Sequence, residues 1–311
     1  MTKHPPVNSV KPGIPLYTAV IFLLLIILSA FRLQAAEPAL IEGQKRLVHE
    51  LYKKKMYFDC VSETRRLAAF DTDPARASDY RYFTAMNYFY GGQYLSSAAV
   101  ISERGDGAAP EQRSIFLTAY SYLNLGRIDE AVNIMGSAPE YSLLPSADVY
   151  ELAVRRADIL LVKRDYDKAS DEITRALKSA RDDRLEELLL AIEARNNIFF
   201  RSPALSASMS ALIPGSGQLY SGFPGAALLS ILSVALPAAA SWYAYGQGYN
   251  GIAAGAGFFS VLFYAGSVYG GYNSACRRNE ELHNEFSAAT RRGRIPDYDP
   301  SAYISTGILL K

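Results

Sequence analysis

No Asp, Glu, Lys, Arg or His occurs between Arg201 and Arg277, a gap of 75 residues in a chain of 311 that is 20% charged overall. Such a gap excludes an ordinary soluble surface for that stretch, and its length and apolar content suit a bilayer. Cysteine is scarce too. Cys60 and Cys276 lie in unlike surroundings, which argues against a disulfide framework. The three histidines (His4, His49, His283) are scattered, and neither C-x-x-C nor H-E-x-x-H occurs, so the sequence implies no metal and no cofactor. With 32 basic and 31 acidic residues, the net charge of +1 offers no general attraction to nucleic acid. No serine sits in G-x-S-x-G or beside a plausible histidine base, so no catalytic residue is assigned and the chain is not expected to be an enzyme.

What is present falls into four parts. Residues 1–36 hold Lys3 and Lys11, a dense apolar run from Ala19 to Leu28, and small residues at Ala35 and Ala36. Basic flank, short apolar core and small exit residues make a signal peptide, cleaved near Ala35 or retained as an N-terminal membrane anchor. Either way the following domain is expected on the exported side. Arginines after the last apolar segment (Arg277, Arg278, Arg291, Arg292, Arg294) favour the cytoplasm and pull against that assignment.

Residues 37–200 show apolar positions every three or four residues and few internal prolines, which predicts helices. The stretch Arg113 to Gly126, followed by Arg127-Ile-Asp-Glu-Ala131, reads as helix, turn, helix, with small Ala119 and Ala131 where the helices meet. The arrangement returns around Ala157, Tyr166, Ala169, Ile173 and Ala176, and earlier around Ala85, Gly92, Tyr94 and Ser97. A weaker copy carries Leu51, Tyr57 and Cys60. The marker Tyr57, Tyr94, Ile128, Tyr166 recurs after 37, 34 and 38 residues. This resembles the tetratricopeptide repeat, whose unit is about 34 residues. Departures are Ser97 and Cys60 in place of alanine, and Arg164 and Lys55 in place of the turn glycine. Residues Asp182–Arg195 read as one more amphipathic helix that caps the stack. The resemblance implies a concave surface whose inward positions are Tyr82, Phe89, Arg113, Phe116 and Tyr120: either a peptide groove with aromatic anchors and one cation, or rings packed between repeats.

Residues 201–275 contain two stretches long enough to span a bilayer, Gly225–Gly246 and Ile252–Tyr272, with aromatic residues at their edges and a short polar linker. An antiparallel hairpin follows, with Gly251-x-x-x-Gly255 and Gly266-x-x-x-Gly270 as candidate close contacts. Ahead of it, Leu205–Ile213 is too short to cross, and Pro214, Gly215, Gly217 and Gly222 let the backbone turn in an interfacial or re-entrant element. Pro214-Gly-Ser-Gly-Gln218-Leu-Tyr220-Ser-Gly222 is similar to the PGxGQxYxG motif of small bacterial membrane domains, although the acidic residue that some of them carry near the second helix is missing. Gln218 and Tyr220 are the polar candidates, expected to satisfy backbone groups. Residues 276–311 form a polar tail, expected to begin amphipathic and end as loose coil.

The expected fold class is therefore all-α: a tetratricopeptide-like stack followed by a transmembrane helical hairpin. The expected function is a scaffold or adaptor tethered to the bacterial inner membrane. Its partners are a protein or peptide at the membrane, the lipid bilayer, and a second copy through the glycine-faced hairpin; nucleic acid is not among them. The alternative is a component of a small transport, insertion or channel assembly.

Overall fold

A computed structural model describes residues 40–71, 73–103 and 111–304. The N-terminal segment at 1–36 lies outside the described residues. Among the described residues all regular structure is helical: a stack of consecutive helices and two long apolar C-terminal ones. The chain divides into two compact units, one running to Ile134 and resuming at Tyr298, the other spanning Met135–Asp297. The boundary thus falls inside the stretch expected as one repeat domain.

The first unit holds α1 (residues 40–53), α2 (Tyr57–Phe70), α3 (Pro74–Tyr90), α4 (Tyr94–Ser102), α5 (Gln112–Asn124) and most of α6 (Ile128–Gly136). Helix α3 packs on α2 and α4, and α4 on α5. Each marker residue in the described pairs is the first residue of a second helix: Tyr57 of α2, Tyr94 of α4, Ile128 of α6. The small positions are where helices touch. Cys60, Ala85, Ser97, Ala119 and Ala131 are fully buried. The two non-alanine members find partners: Cys60 Sγ lies 3.5 Å from the Val48 carbonyl, and the Ser121 hydroxyl lies 3.2 Å from that of Ser97. Burial pushes the Cys60 thiol up to about 12, too high for a nucleophile.

The second unit opens with α7 (Ser146–Lys163), α8 (Tyr166–Ser179) and α9 (Asp183–Glu193). Helix α8 begins at the fourth marker and buries Tyr166, Ala169, Ile173 and Ala176, one stripe at helical spacing. Helix α9 begins at an N-cap made by the Asp182 side chain, buries Leu185, Leu188 and Ile192, and packs on α8. After a short connection come α10 (Pro203–Leu212), α11 (Ser216–Tyr220), α12 (Pro224–Gly246) and α13 (Asn250–Arg291). Helix α12 continues through Pro237.

Helix α13 has 42 residues, so it is roughly 63 Å long at 1.5 Å per residue, about twice a hydrocarbon core. The second expected span and the start of the expected tail are thus one continuous helix. Its charged end packs on α7 and α9. Arg291 pairs with the buried Asp158 at 2.7 Å, and Tyr166 meets His283 and Phe286. Burial, with Arg164 and Arg195 nearby, lowers the His283 pKa, which leaves a neutral ring to stack on Phe200 and Tyr166. Helices α12 and α13 are both long and apolar enough to cross a membrane, and Leu229, Leu236, Phe258 and Val261 are each more than half exposed.

The turn between paired helices needs a left-handed residue two positions before each marker. Gly92 and Gly126 supply it at φ 74°, whereas Lys55 (57°) and Arg164 (66°) adopt it with a side chain attached. A left-handed L-residue costs roughly 1–2 kcal/mol, which glycine avoids at some cost in chain entropy. Arg164 recovers a hydrogen bond to Asn284 Oδ1 at 3.1 Å. Lys55→Gly should therefore stabilise the protein by about 1 kcal/mol, and Gly92→Ala should destabilise it by a similar amount. Urea-denaturation midpoints of the full chain in detergent would read both; no gain on Lys55→Gly would refute the strain assignment.

Candidate functional site

All five residues expected to face inward lie in the first unit, on α3 (Tyr82, Phe89) and α5 (Arg113, Phe116, Tyr120). Their helical spacing turns them toward one surface, and that surface is occupied. Residues 298–304, expected to be loose coil, pack against it. Tyr298 stacks on Tyr120 with ring centroids 4.1 Å apart and planes 7° from parallel, and meets Phe89 edge-on at 5.9 Å. Tyr303 packs against Phe116 at 5.8 Å. The Tyr82 hydroxyl donates to the Pro300 carbonyl at 2.8 Å. Each aromatic pair is worth about 0.5–1.5 kcal/mol beyond the area it buries.

The polar contacts are as specific. The Tyr90 hydroxyl donates to the Asp299 carboxylate, whose Oδ1 also accepts from the Ser301 amide at 2.9 Å and caps the short 3₁₀ turn Pro300–Tyr303. Burial would raise the Asp299 pKa, but hydrogen bonds from Tyr90 and Ser301 outweigh it and hold the carboxyl below its usual range. A carboxyl depressed on docking contributes fully above its free value of about 4 and loses that contribution as pH falls through the docked value, so neutral pH leaves this anchor intact.

Arg113 plays a different part from the one expected. Its guanidinium is already paired with Asp79 (2.6 Å) and Glu111 (2.6 Å), lies over the Tyr82 ring at 4.9 Å, and reaches the Tyr303 carbonyl at 3.4 Å. Burial alone would lower its pKa, but the two carboxylates more than reverse that, so the charge persists and is spent inside the protein. It offers the segment a donor for a backbone carbonyl, not a partner for an acidic side chain. Tyr90, which binds Asp299, was missed in the sequence because it falls outside the inward register of α3.

In the second unit, Pro214, Gly215, Gly217, Gln218, Tyr220 and Gly222 form the turn between α10 and α12 around α11. Half-buried Pro214 follows the end of α10. Gly215 (φ 87°) and Gly222 (φ 87°) require glycine by conformation. Gly217 requires it by space: a Cβ there would stand 1.9 Å from the Ser206 carbonyl oxygen. The buried Gln218 amide donates to the Ser267 carbonyl at 3.1 Å and accepts from the Ser210 hydroxyl at 2.9 Å. Ser206 Oγ lies 2.6 Å from the Gly271 carbonyl, and the Gly215 amide donates to Ser267 Oγ at 3.0 Å. The Tyr220 hydroxyl accepts from the Ser202 amide at 3.3 Å. Gln218 and Tyr220 thus satisfy protein groups, and the network is built from hydroxyls, amides and carbonyls.

Of the four glycines expected at close contacts, Gly270 makes one and the other three do not. Gly251, Gly255 and Gly266 have open space where a Cβ would be. The close approaches are Gly270 to Gln218, Gly271 to Ser206 and Ser210, and Gly257 to Ser241. The hairpin itself is joined by two serines that bond carbonyls across it, Ser241 to Ala253 at 2.7 Å and Ser260 to Val234 at 3.0 Å. The chain matches no family model, no curated protein and no solved structure.

Gly217→Ala should force α10 and α11 apart and cost about 3 kcal/mol, whereas Gly225→Ala, in open space, should change stability by less than about 0.5 kcal/mol. Thermal unfolding of both variants in detergent would check this, and equal melting would contradict the packing described.

Proposed function

We propose that this chain is a membrane-tethered adaptor that binds a short peptide segment of a partner protein in the groove formed by α3 and α5. The observation that carries the reading is the groove's content. Tyr82, Phe89, Arg113, Phe116 and Tyr120 hold a short segment containing a 3₁₀ turn through ring contacts and backbone hydrogen bonds. Helices α12 and α13 serve as the tether, their outward apolar side chains facing lipid. A tether of this kind raises the local concentration of the site at the membrane. The tetratricopeptide-like register and the PGxGQxYxG motif support a bacterial inner-membrane protein, and the basic–apolar–small pattern at residues 1–36 supports the exported face for the repeats.

The alternative is a component of a transport, insertion or channel assembly. It draws on Gly251, Gly255 and Gly266, whose open surroundings leave room for a second copy. The membrane segment offers no ionisable group for proton or ion coupling, which favours the adaptor.

Replacing α12–α13 up to Tyr272 by an unrelated two-span hairpin separates the two readings. An adaptor should still crosslink the same partner in native membranes; loss of that crosslink would favour the assembly component. Sidedness is tested by single cysteines at Ser146, Tyr249 and Asp297 in a background lacking Cys60 and Cys276. Membrane-impermeant thiol reagents should modify positions 146 and 297 from the exported face and position 249 from the cytoplasm. Labelling of position 146 from the cytoplasm alone would sink the exported topology.

A further inference from the structure

We propose that the groove between α3 and α5 recognises a defined peptide class, aromatic–Asp–Pro–small–any–aromatic, and that Tyr298–Tyr303 of the chain itself is a resident copy of that motif which a partner's segment must displace. The inference rests on the adaptor reading and adds the ligand's chemistry and its competitor.

Each position of the motif is read from a contact. The first aromatic fills the slot between Tyr120 and Phe89, and the last packs on Phe116. Aspartate is specified twice, by the Tyr90 hydroxyl outside the segment and by the Ser301 amide within it. Proline is specified by burial and by shape: Pro300 is buried, fixes its own φ at the start of the turn, and leaves its carbonyl for Tyr82. Position 301 is half-buried beside Tyr90, which favours a small residue, and Ala302 is exposed, so its side chain specifies nothing.

Most of these contacts are made by side chains of the segment or by its carbonyls, and any chain with the same pattern could reproduce them. The resident copy follows the end of α13 at Arg291 by only six residues. Because it belongs to the same chain, the resident copy competes intramolecularly, which favours it over a free peptide. A free peptide of equal intrinsic affinity therefore competes poorly until the resident segment is weakened, which makes the groove selective for strong or multivalent partners.

The test uses the full chain in detergent micelles and a fluorescein-labelled peptide of residues 297–304, Asp-Tyr-Asp-Pro-Ser-Ala-Tyr-Ile, followed by anisotropy. The double variant Tyr298→Ala/Tyr303→Ala should bind the peptide at least tenfold more tightly than the unaltered chain. Adding Phe116→Ala to that variant, or changing the peptide's aspartate to asparagine, should each weaken binding at least tenfold. Should the double variant fail to fold, Asp299→Asn, which alters only the Tyr90 and Ser301 contacts, carries the same comparison. Equal binding by the released and unaltered chains, or equal binding of a scrambled peptide, would overturn the proposal. A dimer of the unaltered chain that dissociates on peptide addition would place a second copy's tail in the groove and overturn the intramolecular assignment. These outcomes are independent of the crosslinking that tests the adaptor reading: a groove that binds the peptide while no partner crosslinks would refute that reading alone.

Discussion

A pair of helices buries only the faces turned toward each other, so every pair in a stack leaves an apolar surface that something else must cover. That constraint organises both units. On α8 the covering is done by α9, and by the charged half of α13 around Tyr166, His283 and Phe286. On the aromatic face of α3 and α5 it is done by residues 298–304. Tyr82 and Phe116 are fully buried, and that segment supplies part of their cover through the Pro300 carbonyl and the Tyr303 ring. In the proposed reading, folding and recognition would draw on one set of interactions in the first unit.

The uncharged stretch solves a different problem. Where water is excluded, each backbone and side-chain polar group needs a partner within the protein. Here short serines provide it. Ser210, Ser230 and Ser267 bond Gln218, Ser206 bonds the Gly271 carbonyl, and Ser241 and Ser260 bond carbonyls across the hairpin. Such bonds demand close backbones, which is why glycine stands at 217, 257, 270 and 271. The PGxGQxYxG motif reads physically as two left-handed glycines, close approaches at Gly215 and Gly217, and an amide that ties α11 to α10 and α13.

Much of this was legible before any coordinates. The marker residues 57, 94, 128 and 166 each begin a helix because an apolar or aromatic residue after the turn is what locks one helix onto the next. That Tyr82, Phe89, Arg113, Phe116 and Tyr120 share one surface was legible through the same register. The occupant was not. Tyr82 and Pro300 are 218 residues apart, and a six-residue segment has no periodicity to reveal its docking; two tyrosines around Asp299-Pro300 in a polar tail were its only trace. The pairing of Arg113 was hidden for a related reason, since Asp79 approaches it from another helix. In the hairpin, small residues are so common that spacing could not choose among glycines. The facing serines made the choice.

The account depends most on the docking of residues 298–304, and backbone hydrogen exchange of the full chain measures that directly. With Ser301, Ala302 and Ile304 amides bonded to Asp299 and Ser301, peptides covering 298–304 should exchange far more slowly at neutral pH than an unstructured chain. That protection should disappear in the Tyr120→Ala variant while α4 and α7 keep theirs. Exchange of 298–304 at the unstructured rate in the unaltered chain would contradict the account.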